Sequence, residues 1–476
     1  MTLDFLQSLL ANTWSIFLVV LFFGGSIFVH ELGHFLAARR RGAKVERFSI
    51  GFGPAIFSWH GRDGVEYRIA WFPLGGYVLL PQLTDLGPIE GRSESDAASL
   101  PPVSYATKMI VFAAGAFFNV LFAFALASII WFIGQPDSSE SASTRIGYVS
   151  RTFELPGGTV VPSPAMQAGL LVGDSIQAID GQRVARWLDI QALIGLGSGQ
   201  SADGRRQAIF TVKRGAQLLD ITVHPQLVGE EKDRRVGIAP GYELNVQQVV
   251  AGATGAQAGF LAGDELLSLA GQPVLNIATY QEVLEASAKR PVAARVKRAG
   301  TEVALTIPAR PQAKSGANLG LTLTTGFTLT YPTPFQQIDE QVTMAFRTIW
   351  SLVNPHSDVG ISKLTGPVGI VRIFHSAAEA GLRPVLMFTI LLNMSLAIFN
   401  LMPIPVLDGG QMLFATIGRL RGRSLSGNFI MAANSVFMVL FLTMFIYVFF
   451  FDARRWVRDV QAERTEAAAH AAPAKP

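Results

Sequence analysis

His30-Glu31-Leu32-Gly33-His34 reads H-E-x-x-H, inside the apolar run FFGGSIFVHELGHFLAARRR from Phe22 to Arg41. On a helix, positions i and i+4 share a face, so both imidazoles can approach one Zn²⁺. Glu31 is of the right type to take a proton from water at that metal. Chance pairing of two histidines, in a chain with seven, is the plain alternative. Membrane physics weighs against chance. Ionisable side chains in a spanning helix are costly, and three within five residues call for one common cause.

A catalytic zinc takes three protein ligands and keeps one position open. The third ligand should be another His or a carboxylate at the same depth. Asp408, in NLMPIPVLDGG from Asn400 to Gly410, is the acidic residue that the third apolar segment offers. Taken alone, Asp-Gly-Gly is also ordinary turn material.

These residues must be held by membrane helices. Only 16% of the chain is charged and 50% is apolar, and the apolar excess collects in four segments near 14–38, 106–134, 384–407 and 428–451. Each matches the ~20 residues a helix needs to cross the hydrocarbon core. The first is expected to stay as an anchor, because Asp4 and the absence of Lys or Arg before it do not suit a cleavable signal. Arg39, Arg40, Arg41, Lys44 and Arg47 place its C-terminal end in the cytoplasm. The second helix then runs outward, section 135–383 faces the exterior, and the third helix returns. Arg419, Arg421 and Arg423 agree with this, while Arg454, Arg455 and Arg458 agree less well. On this topology His30, His34 and Asp408 all lie near the cytoplasmic side. The net charge of +4 is largely explained by these flanks and implies no nucleic-acid partner. The absence of cysteine excludes disulfides and thiolate ligands.

The exterior section contains a repeat. QAGLLVGDSIQAIDGQRV from Gln167 and QAGFLAGDELLSLAGQPV from Gln257 match at a constant offset, and each is followed by helical and then alternating residues. The pattern resembles bacterial PDZ domains. Val236-Gly237-Ile238 and Leu319-Gly320-Leu321 match the triplet that in such domains receives a peptide carboxy-terminus, placed late as in a circularly permuted copy. Peptide binding by strand addition and a simple size filter are both open readings.

The whole chain resembles the site-2 protease family of intramembrane zinc metalloproteases, within it the bacterial regulator-of-sigma-E protease group. The resemblance rests on H-E-x-x-H and on N-x-x-P-x-P-x-L-D-G (Asn400, Pro403, Pro405, Leu407, Asp408, Gly409). It extends to the GFG of Gly51–Gly53, PLGGYV at Pro73–Val78, the tandem insert, and LTGPVGI at Leu364–Ile370. It implies one Zn²⁺ held by His30, His34 and Asp408, with Glu31 as catalytic acid and base. It also implies that Asn400 holds the substrate backbone, with Gly51, Gly53, Pro403 and Pro405 as further substrate-binding residues. Many relatives carry a second Asn five residues before Asn400; here that position is Ser395, with Asn393 nearby.

The expected architecture is a polytopic α-helical membrane protein with four transmembrane helices, a small membrane-associated β-sheet and two exterior α/β PDZ domains. Its sections are the first helix over 1–44, a hairpin or sheet with cytoplasmic loop over 45–105, and the second helix over 106–134. The PDZ domains follow over 145–240 and 241–326, then an amphipathic helix and connector over 335–383. The third helix with Asp408 covers 384–410, the fourth 428–451, and a disordered tail 461–476. Runs such as VERFSI and VEYRIAW should form a sheet whose edge can pair with an unwound substrate. Gly24 and Gly25 would allow close helix packing or a local opening before His30. The expected function is cleavage of single-span proteins in a bacterial inner membrane, with the PDZ domains periplasmic and the active site near the cytoplasmic side. A trimmed anti-sigma factor or a remnant signal peptide is the expected substrate class. A non-catalytic PDZ adaptor with a structural metal is the competing reading, and metal transport a weaker third.

Overall fold

The computed structural model describes residues 3–83, 100–155, 158–229, 232–310, 319–360, 364–423 and 425–471. It opens with helix α1 (Leu3–Arg40), strands β1 (Arg47–His60) and β2 (Glu66–Leu79), and helix α2 (Tyr105–Ile133). A first repeat follows, with β3 (Ile146–Val149), β4 (Ser175–Ile179), α3 (Trp187–Gly195), β5 (Ala208–Arg214), β6 (Gln217–Val223) and β7 (Ile238–Pro240). The second repeat has β8 (Leu244–Val249), β9 (Glu265–Leu269), α4 (Ile277–Ala286), β10 (Val292–Arg298), β11 (Thr301–Ile307) and β12 (Leu321–Thr325). Helices α5 (Pro334–Val353), α6 (Pro367–Ala380), α7 (Leu382–Asn400), α8 (Asp408–Leu420) and α9 (Gly427–Ala471) complete the chain. Two compact units result, one from 1–135, 331–346 and 361–476, the other from 136–330 and 347–360.

Among the described residues of the first unit, four helices are long and apolar enough to cross a membrane: Ile16–Arg40 of α1, Tyr105–Ile133, Leu382–Asn400, and Gly427–Arg458 of α9. Helix α2 is the common partner. Ala123, Leu126, Ala127 and Ile130 pack against Leu386, Ile390 and Met394 of α7, while Val111 and Phe112 join Phe35 and Ala38 of α1. Asn393 is fully buried, and its amide donates to Ser26 Oγ (2.8 Å) and to the Thr389 carbonyl, tying α7 to α1. Helix α9 turns most of its apolar side chains outward, as Val439, Leu442, Ile446 and Phe450 do, the arrangement expected of a surface that faces lipid. Its buried Asp452 accepts from the Gly369 N–H at the start of α6 (2.9 Å) and lies 3.6 Å from Arg455. One of the three arginines that fit the expected topology less well is thereby paired.

Four expectations need correction or refinement. Residues 384–410 are not one helix: α7 ends at Asn400, the chain turns through 401–407, and α8 begins at Asp408. Pro403 and Pro405 lack N–H donors and disfavour helical backbone in the residues before them. The first turn of α8 then folds back so closely that a Cβ on Gly409 would overlap the Leu401 and Met402 carbonyls. The tail expected to be disordered is helical through Ala471, in keeping with its Ala and Glu content; residues 472–476 lie outside the described residues. The apolar stripe of α5 divides, with Ile338 and Val342 against the α2–α7 core and Phe346 and Trp350 exposed.

The sheet after α1 is also more folded than a plain hairpin. Residues 47–50 of β1 pair with 76–79 on one side and 66–69 on the other, while 55–60 pair with 66–70. GFGP is therefore a corner inside β1, where Gly51 and Gly53 take positive φ (89° and 86°) and the strand changes partner. The result is four short rows, with 55–60 and 76–79 at the edges. The loop expected to follow falls partly on 84–99, outside the described residues.

In the second unit the repeats are built alike. The second sheet has the order β11-β10-β9-β8-β12. The first follows the same path, β6-β5-β4, then an Arg145–Ser175 bridge to the β3–β7 pair. Both are fastened by the same ion pair. Arg214 Nε and Nη2 each lie 2.7 Å from Asp174 oxygens, and Nη2 also reaches the Gly169 carbonyl. Arg298 makes the same three bonds to Asp264 and Gly259. Burial alone would raise both aspartates, but the arginines overcome it and hold each carboxyl below its ordinary range. The repeats meet where Tyr148 Oη donates to Glu282 (2.6 Å).

These pairs predict a pH dependence. Both carboxyls titrate lower folded than unfolded, so their contribution is complete above about pH 4 and is lost as pH falls through the folded values. Arg214→Ala, which strands a buried carboxylate, should destabilise the first repeat by about 3 kcal/mol. Amide hydrogen exchange of β5 in the intact chain should show faster exchange there and an unchanged rate in β10.

Candidate metal centre

His30 and His34 face the same side of α1 because they are four residues apart, and their rings cross at 85° with centroids 4.7 Å apart. Their Nε2 atoms are 3.1 Å from one another. Asp408, at the start of α8, brings Oδ2 to 3.4 Å from each. Donors 2.0–2.1 Å from a tetrahedral ion stand about 3.3–3.4 Å apart, so this triangle matches three corners of such a shell. Asp408 Oδ2 is buried with no hydrogen-bond partner, and the three side chains form the group that could hold a metal among the described residues. A carboxylate with two imidazoles is a donor set that suits zinc.

The triangle needs the break in the third span. A continuous helix would have carried Asp408 about 12 Å beyond Asn400. Instead the Pro-containing turn reverses the chain and brings Asp408 back. Asn400, the last residue of α7, places Nδ2 3.5 Å from His30 Nε2.

Helix α2 supplies the far wall. His34 Nδ1 lies 2.8 Å from the Val111 carbonyl, so Nδ1–H donates there and the Nε2 lone pair is left for a metal. One turn on, Gly115 lies against both rings: a Cβ there would overlap Nε2 of His34 and Cε1 of His30. One turn further, the buried Asn119 amide lies 3.3 Å from His30 Nδ1. Sequence reasoning read 106–134 only as a membrane span and missed all three. The available signal was a Gly and the helix's one Asn, four residues apart in a mostly apolar run.

Glu31 is buried and lines, with His30, His34, Asn400 and Asp408, a cavity of about 470 Å³. Gly75, Gly76, Tyr77 and Val78 of the sheet edge form another side of it. Gly76 lies so close to Glu31 Cγ that a larger residue would collide with it. The predicted residues His30, Glu31, His34, Asn400 and Asp408 thus converge. Gly51, Gly53, Pro403 and Pro405 are not in the lining: the glycines turn β1 and leave Phe52 in the wall, and the prolines shape the turn before Asp408. Asn393 is a helix clamp rather than a cavity residue. Among the described residues nothing lies within 4 Å of a Cβ on Gly24 or Gly25, so no close helix packing is seen there.

The family model described as Peptidase family M50 matches residues 17–444. The Regulator of sigma E protease of Salmonella typhi is 28% identical over 472 residues, covering 92% of this chain and 99% of that protein. The Regulator of sigma-E protease RseP of Escherichia coli (strain K12) is 26% identical over 474 residues, with the same coverages. A Vibrio cholerae protein named for zinc metalloprotease activity is 30% identical, covering 85% of this chain and 90% of its own. Among solved structures, a PDZ domain of an SdrC-like protein from Listeria monocytogenes is 18% identical and covers 17% of this chain and 86% of its own, with a TM-score of 0.16.

Gly115→Ala tests the contact between α2 and the two rings. Its methyl should push the imidazoles apart and weaken metal binding by on the order of tenfold or more, measured by chelator competition on purified protein. Helical content should stay at the wild-type value.

Proposed function

This chain belongs to peptidase family M50, and from its own geometry we propose how it works. It is an intramembrane zinc metalloprotease of the site-2 protease kind, a multi-pass membrane protein of the regulator-of-sigma-E group. The observation that carries the residue roles is the donor triangle of His30, His34 and Asp408, set beside Glu31 in a protein-walled cavity.

When bound there, zinc supplies a Lewis acid and makes water acidic enough to ionise near neutrality. Glu31 takes a proton from the attacking water, whose oxygen bonds to the scissile carbonyl carbon. As the C–N bond breaks, Glu31 returns that proton to the leaving nitrogen. Asn400, at the cavity edge, holds the substrate backbone. The edge at 76–79 receives the substrate as an added strand, which meets the need to unwind a helix before its peptide bond can be reached. Such an edge is tolerated at membrane depth because it lines a protein cavity.

Topology follows from the flanks. His34 lies about 9 Å along the axis from Arg40, so the site is read as opening near the cytoplasmic face of a bacterial inner membrane. The second unit is then periplasmic. Its two repeats are read as PDZ domains, supported by strands β7 and β12 closing onto β3 and β8 from the last residue of each triplet. They hold a carboxy-terminus or turn away substrates whose exterior domain is intact. The substrate class is the single-span protein already trimmed outside, such as an anti-sigma factor, or a remnant signal peptide.

The test uses protein purified in detergent, with its zinc measured, and a tagged single-span substrate lacking its exterior domain. Glu31→Gln should keep the wild-type zinc content and cut ~10²–10⁴-fold more slowly. If both proteins hold zinc and neither cuts a set of such substrates, the non-catalytic adaptor takes the place of this reading.

A further inference from the structure

We propose that Asn119 is a positioning residue that locks His30 in the tautomer with the proton on Nδ1, so that Nε2 is offered to the metal. The inference rests on the metal site described above. Asn119 is fully buried in the middle of α2, where an amide without partners is costly. Its side-chain Nδ2 lies 3.3 Å from His30 Nδ1, and its other amide end, Oδ1, is buried with no partner among the described residues. The two ends of an asparagine amide have nearly the same shape, and which one faces a neighbour is decided by that neighbour's hydrogen. A His30 that gives Nε2 to a metal carries its hydrogen on Nδ1 and needs an acceptor there. Rotating the amide to present Oδ1 supplies one.

The companion histidine shows the same logic with a different acceptor. His34 Nδ1 is already held by the Val111 carbonyl. Positions 111, 115 and 119 recur every four residues, so one stripe of α2 orients His34, makes room for both rings at Gly115, and orients His30. Each ligand of α1 thus has its own outer partner on one face of one neighbouring helix. Such outer partners fix ring orientation and raise ligand basicity.

Two variants of the full-length protein separate orientation from packing. Asn119→Leu keeps the size and removes the acceptor, and should weaken zinc binding 10–100-fold in chelator competition. Asn119→Asp keeps an acceptor and should hold zinc within a few-fold of wild type. The ring ¹⁵N spectrum of zinc-loaded wild type, with His30 identified by its loss in His30→Gln, should show the proton on Nδ1. A leucine variant as tight as wild type, two variants equally weak, or His30 bound through Nδ1 would each overturn the assignment. Where the variants do not fold, wild-type protein decides through a scalar coupling across the hydrogen bond from His30 Nδ1–H to the Asn119 side-chain carbonyl carbon, whose absence overturns the assignment. Wild-type protein that takes up no zinc overturns the metal site itself, which is a different result.

Discussion

The structure depends on one constraint: two imidazoles and a carboxylate must meet at one point inside a membrane, with the outer ring nitrogens partnered by protein. Water cannot do that work in hydrocarbon, and an unpartnered polar group there is costly. Helix α1 can bring only the two histidines. The carboxylate comes from a segment far along the chain, and the partners for the outer ring nitrogens come from α2. That is why α2 lies against both α1 and α7, and why it carries glycine where the rings touch it.

The same constraint explains the shape of the third span. A carboxylate at the end of a straight helix would have pointed away from the histidines. Two prolines stop α7, and the glycines after Asp408 let α8 begin against the turn it has just left. Asp408 is then the opening residue of a helix, a position where a negative charge is favoured by the helix dipole. One short segment both turns the chain and brings Asp408 to the two histidines.

How much of this was legible in the sequence differs residue by residue. His30 and His34 were readable because the helix period alone puts them on one face. Asp408 was readable from depth, since a lone carboxylate beside a charge cluster at matching level has few other reasons to exist. The helix break was readable too, in Pro403 and Pro405, but an unbroken apolar run obscured it. The repeat showed itself directly, and its Asp-Arg fastening could be traced once both copies were aligned. Asn119 was readable only as a lone amide four residues after a Gly, and its role could not be read, because it exists only through contact with a residue 89 positions earlier. GFGP was readable as a turn, but not as a corner inside one strand, because two glycines mark a bend without saying which strand lies on each side of it.

The split origin of the ligand set has a consequence for how the protein is made. At 5–20 residues per second, the roughly 290 residues from Asn119 to Asp408 take about 15–60 s to synthesise. Throughout that interval the nascent chain presents two histidines and their α2 supports, but no carboxylate ligand. The half-site can hold an ion only weakly, and the sheet edge beside it has no complete hydrolytic centre to serve. With the ligands in this order, the donor triangle is completed only after the intervening domains have emerged.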